Sequence, residues 1–209
     1  MKNESKVFGM YAAGSHAIRQ EFGAPFTQNG YVYATDERIL IRVRESAAKG
    51  AYTHSEKYGC AKLFNVAAEQ EEVISARQLK KLLSEVELVE ETHTVSETIK
   101  CEVCGGYGEV HWEYESWGKD DDCPACSGSG YTHKEKKIPA GKMITNESAL
   151  VKLGNKTFTL RYIRVIAETM KLLGIATITM RYSESEPSRQ AIFSFSPDVD
   201  VLLMPTLPD

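Results

Sequence analysis

The 209-residue sequence predicts an α+β protein: a body of antiparallel sheets with helices on one face, interrupted by a small cysteine-stapled β-hairpin. Three observations predict it. Alternating apolar runs bounded by turn residues recur towards both ends of the chain. Two amphipathic helical stretches carry start and stop signals. A middle segment repeats one cysteine–glycine pattern twice. The expected division is 1–91 for the first part of the body, 92–137 for the insertion, and 138–209 for the second part.

The first part opens with a turn signal at Asn29-Gly30, followed by YVYATDERILIRV. Tyr31 and Tyr33, then Ile39, Ile41 and Val43, alternate against neighbours read as polar around a turn at Thr35-Asp36-Glu37, which predicts two strands. Residues 45–72 are low in pattern and read as loop. A helix then begins at a capping box, with Ser75 as N-cap and Gln78 reaching back to it. Leu79, Leu82, Leu83 and Val86 form its apolar stripe; Arg77, Lys80, Lys81 and Ser84 fall off it. In the second part a helix follows Thr159. It turns Ile163, Ile166, Ala167, Met170 and Leu173 inward and Arg161, Arg164, Glu168 and Lys171 outward, and it stops at Gly174. Strands follow at IATITMRY, QAIFSFS and VDVLLMP.

Four of the five cysteines fall in two CxxC pairs, Cys101/Cys104 and Cys123/Cys126, within CEVCGGYG and CPACSGSG. Both fit CxxCxGxG. Two thiolates three residues apart on a tight turn reach one tetrahedral ion, and glycines let the chain turn back with positive φ close to the metal. Eighteen residues lie between Cys104 and Cys123, which suits a four-cysteine site closed by a hairpin. A thioredoxin-like role needs one CxxC at a helix start, and a catalytic zinc keeps an open position; neither suits two glycine-followed pairs. Structural disulfides are disfavoured in a reducing compartment. A closed structural zinc site is the expectation. His111 and His133 are then surface residues, and Cys60 a free, at least partly buried thiol. Between the pairs, Val110, Trp112 and Tyr114 alternate as a short strand, Trp117-Gly118 and the aspartates mark a turn, and YTHKEKKI returns as another strand. Trp112 and Trp117 either pack on the zinc turns or form an aromatic contact patch.

Net charge is −4, and its distribution says more than its sum. Residues 91–137 hold five basic and ten acidic side chains, so the acidic excess lies around the paired cysteines. Phosphate binding requires local basic surface, which the two helices offer opposite their apolar stripes. That face is either a solvated helix surface or one turned towards phosphates. No apolar run approaches the roughly 20 residues of a membrane span. The N-terminus MKNESKVFGMYAAGSH has no long apolar stretch after its basic residues, so a cytoplasmic protein without a secretory signal is expected.

CEVCGGYG and CPACSGSG resemble the cysteine-rich repeats of DnaJ-type chaperones, over about 30 residues, with two repeats where that family usually has four and no His-Pro-Asp signature. The resemblance implies the zinc geometry. The body resembles the bacterial sliding clamp, the β subunit of the replicative polymerase. YVYATDERILIRV is similar to the strand pair around that family's Ala-Thr-Asp motif, and EVISARQLKKLL to a strand-to-helix junction. ALVKLGNKTFTLRYIRVIAETMKLLG with the three following strands is similar to the last clamp domain, ending in Met204-Pro205. The resemblance implies helices lining a face towards the backbone of double-stranded DNA. Arg77, Lys80, Lys81, Arg161, Arg164 and Lys171 would be the contacts. A clamp protomer has three such domains and no zinc insert, so closing a ring here would take a homo-oligomer of more copies.

The expected function is a non-catalytic, clamp-like DNA-associated module of the processivity-factor type in DNA replication, carrying a structural zinc arm that contacts an unknown protein partner. The alternative is a zinc-dependent protein-interaction or chaperone-like module without DNA binding. His16, Asp36, His54 and Glu168 are the groups an enzyme would draw on, but their spacing forms no nucleophile–base constellation. Asp36 reads as a turn residue, and the histidines as ordinary surface or core residues.

Overall fold

A computed structural model describes residues 1–14, 19–57 and 59–207. The chain divides into two compact units, Met1–Glu87 with Asn146–Asp209, and Leu88–Thr145.

The body is built on an eight-stranded sheet. Its strands are β1 (Phe26–Gln28), β2 (Tyr31–Thr35), β3 (Ile39–Arg44), β4 (Thr53–His54), β5 (Gln70–Ser75), β12 (Thr177–Tyr182), β13 (Ala191–Ser196) and β14 (Val199–Leu203), in the order β4-β1-β2-β3-β14-β13-β12-β5. All neighbours are antiparallel except the two-residue β1–β4 bridge. The turn between β1 and β2 places Asn29 at φ 50° and Gly30 at φ 77°, the left-handed pair that matches strand twist in a two-residue hairpin. The ends of the chain join at the centre, where β3 pairs with β14 from Val43↔Val199 to Ile39↔Leu203.

Helices α1 (Glu4–Tyr11), α3 (Ala76–Ser84) and α4 (Leu160–Leu173) bury their apolar faces in the principal core. Ser75 caps α3 in the predicted manner: its hydroxyl accepts the Gln78 N–H and the Gln78 side chain accepts the Ser75 N–H. Gly174 closes α4 at φ 71°. Within α4, Ile163, Ile166 and Met170 are fully buried as expected. So is Thr169, whose hydroxyl meets that of Tyr11 at 2.9 Å and fastens α1 to α4.

The sheet is apolar on both faces, because a second, smaller core of Phe22, Phe26, Tyr33, Leu40, Cys60, Phe64, Ile192 and Leu202 packs on the side away from α1, α3 and α4. This corrects one expectation. The neighbours of Tyr33, read as polar, are Val32 and Ala34, which join Ile39, Ile41 and Val43 in the principal core; the register Val32↔Val43 and Ala34↔Ile41 leaves Tyr33 opposite Arg42 on the other face. The stretch 45–72, read as loop, also contributes β4, the short helix α2 (Cys60–Leu63) and the start of β5.

Ahead of α4, β10 (Leu150–Leu153) and β11 (Lys156–Thr159) form a hairpin of their own. Lys156 is 1% exposed and its ammonium donates to the carbonyls of Glu186 and Pro187, closing a loop of the body.

The second unit is a two-stranded ribbon of β6 (Leu88–Lys100) and β9 (Tyr131–Thr145), beyond which lie the four cysteines and a tip hairpin of β7 (Glu109–Tyr114) and β8 (Trp117–Asp122). Most ribbon residues are exposed on both faces, so backbone pairing and the small cluster of cysteines, rather than an apolar core, define its shape.

Candidate metal centre and basic helix face

The two CxxCxGxG segments form knuckles related by an approximate two-fold. The Cys101 N–H donates to the Gly130 carbonyl at 2.9 Å, and the Cys123 N–H donates to the Gly108 carbonyl at 2.7 Å. The Gly108 N–H points at Cys104 Sγ at 3.2 Å and the Gly130 N–H at Cys126 Sγ at 3.3 Å. The glycines are demanded by this proximity. A Cβ at Gly108 (φ 85°) would lie 2.4 Å from the Gly128 carbonyl oxygen, and one at Gly130 (φ 75°) 2.4 Å from that of Gly106.

The four sulfurs lie within 4.8 Å of one another, with Cys101–Cys123 and Cys104–Cys126 both at 3.8 Å. A regular tetrahedron with Zn–S bonds of about 2.3 Å has edges of about 3.8 Å. Sulfurs this far apart are unbonded, and all the cysteines are free. Cys101, Cys104 and Cys123 are buried, with Val110 packed against them. Burial works to raise the Cys104 thiol, but the N–H groups of Gly108 and Gly106 and the neighbouring thiols outweigh it and hold the group at about 6. Burial carries Cys123 the other way, to about 11. Four soft donors in a closed shell could hold one metal ion and leave it no open position for catalysis.

The histidines near the knuckles lie apart from this group. His111 is exposed, its Nδ1 2.7 Å from Asp120, and His133 is exposed beside Thr98. Cys60 is a buried free thiol of the body.

All six basic residues singled out from the sequence are exposed on α3 and α4, which pack against each other. Four have carboxylate partners: Arg161 with Asp36 (3.0 Å), Arg164 with Glu147 (3.0 Å), Lys171 with Glu168 (3.1 Å) and Lys81 with Glu85 (3.7 Å). Asp36 also performs its turn role, accepting the N–H groups of Arg38 and Ile39. Its second oxygen takes the Arg161 guanidinium and the Tyr162 hydroxyl, a long-range tie that nothing in its local sequence announces. His54 is exposed near Glu56, and His16 lies outside the described residues. A cleft of about 810 Å³ in the body, lined by Phe22, Arg38, Leu40, Cys60 and Met204 among others, also escaped sequence reading. Its walls come from both ends of the chain, so no local motif marks it.

The architecture is clamp-like. Among solved structures, the chain is similar to a DnaN sliding clamp, the β subunit of DNA polymerase III, from Bartonella birtlesii, at 12% identity and a TM-score of 0.50, covering 98% of this chain and 64% of that one. It is also similar to a polymerase sliding clamp from Caulobacter crescentus (10% identity, TM-score 0.49, 100% and 65% covered) and to a Helicobacter pylori β clamp (12% identity, TM-score 0.47, 98% and 62% covered). At such identities the likeness is one of fold. The chain spans under two thirds of the length of these clamps. No protein-family model and no curated protein sequence matches it. Among the described residues no helix is long and apolar enough to cross a membrane.

Proposed function

We propose that this chain is a non-catalytic, DNA-associated module of clamp-like fold that carries a structural zinc arm at Cys101, Cys104, Cys123 and Cys126. The observation that carries the DNA reading is the set of six exposed cations on two adjacent helices. Their exposed ion pairs contribute less than about 1 kcal/mol each, so phosphates can replace the carboxylates at little cost. The zinc reading rests on the 3.8 Å sulfur spacing and the closed set of thiolates. Several copies would be needed to encircle a duplex, and light scattering reads that assembly.

Counterion release gives the test. Neutralising about six phosphates makes binding of a labelled 30-base-pair duplex fall roughly a thousandfold between 50 and 200 mM salt, independently of sequence. Exchanging Arg161, Arg164 and Lys171 for Glu is expected to abolish that binding. No binding by the parent, or undiminished binding by the variant, overturns the proposal.

A second reading, a zinc-dependent protein-interaction module without DNA binding, is favoured by the arm itself. Residues 88–145 hold eleven acidic and six basic side chains, and Trp112, Tyr114 and Trp117 stand exposed there. Replacing 92–137 with a short Gly-Ser turn then removes partner binding and leaves the body folded; a partner still bound by that variant excludes this reading.

A further inference from the structure

The register of the tip hairpin sorts its side chains into two unlike faces. Residues directly opposite in an antiparallel pair share a face. The pairs Val110↔Asp121, Trp112↔Lys119 and Tyr114↔Trp117 therefore gather three aromatic rings on one face, Trp112 and Tyr114 along β7 and Trp117 across from Tyr114, with Val110 at the end nearest the cysteines. The pairs Glu109↔Asp122, His111↔Asp120 and Glu113↔Gly118 put four carboxylates on the opposite face. Trp112, Tyr114 and Trp117 are 59%, 75% and 67% exposed, so they do not pack on the metal turns. The hairpin's one lysine, Lys119, is already held by Asp121 at 3.0 Å.

We propose that this hairpin docks an arginine-rich segment of a partner protein across Trp112, Tyr114 and Trp117. The inference rests on the reading of the arm as a zinc-stapled protein contact and supplies the chemistry of the partner. Three exposed rings stabilise cations lying over their faces, and guanidinium planes stack on such rings better than ammonium groups do. The segment from Glu109 to Asp122 carries six carboxylates against one lysine, so within about 8 Å of its surface it attracts cationic chains and repels nucleic acid. Trp112 and Tyr114 stand two residues apart on β7, roughly 7 Å, with Trp117 directly across from Tyr114, so the rings meet two like-facing side chains of an extended peptide. Arginines at alternate positions of an extended peptide match that spacing.

Trp112 and Trp117 are the only tryptophans in the chain, so intrinsic fluorescence reports this hairpin alone. The full-length protein, purified in the presence of zinc, is titrated with labelled octa-arginine, octa-lysine and a 20-base-pair duplex, and zinc content is measured on the same samples. Octa-arginine is expected to quench the tryptophans and bind more tightly than octa-lysine. The charge-neutral double variant Trp112→Ala/Trp117→Ala, followed through the peptide label, is expected to bind at least about tenfold more weakly. Glu113→Gln/Asp120→Asn is expected to weaken binding and flatten its salt dependence. Equal binding by the parent and the tryptophan variant would reduce the effect to bulk charge and overturn the docking site, as would quenching by the duplex. Octa-arginine docking on a protein that holds no zinc leaves the site standing and removes the staple; zinc retained without docking does the reverse.

Discussion

Substituting Gly108 by Ala tests the metal centre at its tightest point. Two costs are visible. The residue sits at φ 85°, where a side chain costs roughly 1–2 kcal/mol. The new Cβ also lies 2.4 Å from the Gly128 carbonyl oxygen, where ordinary contact begins at 3.4 Å, so the knuckles must separate by about 1 Å. Metal–ligand distances tolerate about 0.2 Å. Gly106→Ala isolates the first cost: its φ is 98°, but the Cβ meets only the flexible Lys100 side chain at 3.3 Å. Gly141→Ala, at φ 69° with open space around it and away from the cysteines, controls for strain in the ribbon. The metal-free segment is free to relax, so strain in the bound form is subtracted from metal affinity. Zinc affinity, measured by competition with a chromophoric chelator, is expected to be unchanged in Gly141→Ala, roughly 5- to 30-fold weaker in Gly106→Ala, and at least about tenfold weaker again in Gly108→Ala. Equal affinities for the Gly106 and Gly108 variants would refute the account of knuckle packing.

Two further outcomes are expected. Stripping the metal with a chelator should expose the amides of Cys101, Gly108, Cys123 and Gly130 to hydrogen exchange while those of α4 stay protected; concerted loss of protection in both would contradict the separate anchoring of the arm. Burial works to raise the Glu4 carboxyl, but the Tyr52 hydroxyl and the N–H groups of Gly50 and Lys49 outweigh it and lower the group to about 2 from 4.5. Its contribution is therefore complete above pH 4.5 and is lost as pH falls towards 2. Urea melts at pH 5 and pH 3 should show a smaller loss in Glu4→Gln than in the parent, and parallel losses would count against the assignment.

Where the sequence was legible, a local physical requirement explains why. Ser75 and Gln78 close one capping box within four residues, Asn29-Gly30 is almost obliged to turn, Gly174 supplies the one left-handed residue that ends α4, and the cysteine spacing brought the four sulfurs together. What stayed hidden depends on distant partners. Helix α1 has a left-handed Asn3 with no capping side-chain bond and Gly9 in its middle, and Val7, Phe8 and Tyr11 acquire a reason to be helical only against α4. The full-length pairing of β6 with β9 was illegible because a ribbon wet on both faces shows no alternation. The burial of Tyr33 in the second core was hidden because alternation names two faces without saying which meets the helices. Burial of Lys156 depends on carbonyls thirty residues away.

The crossed bonds of the knuckles carry one more consequence. Because the Cys123 N–H is held on the Gly108 carbonyl, the two ends of the fourteen residues from Glu109 to Asp122 lie side by side independently of that segment's own pairing. The paired knuckles thus work as a socket that sets the spacing of the two strands entering it. Past Val110, which packs on the cysteines, the hairpin makes no contact with the sulfurs, and its outer end is the place to graft a binding loop.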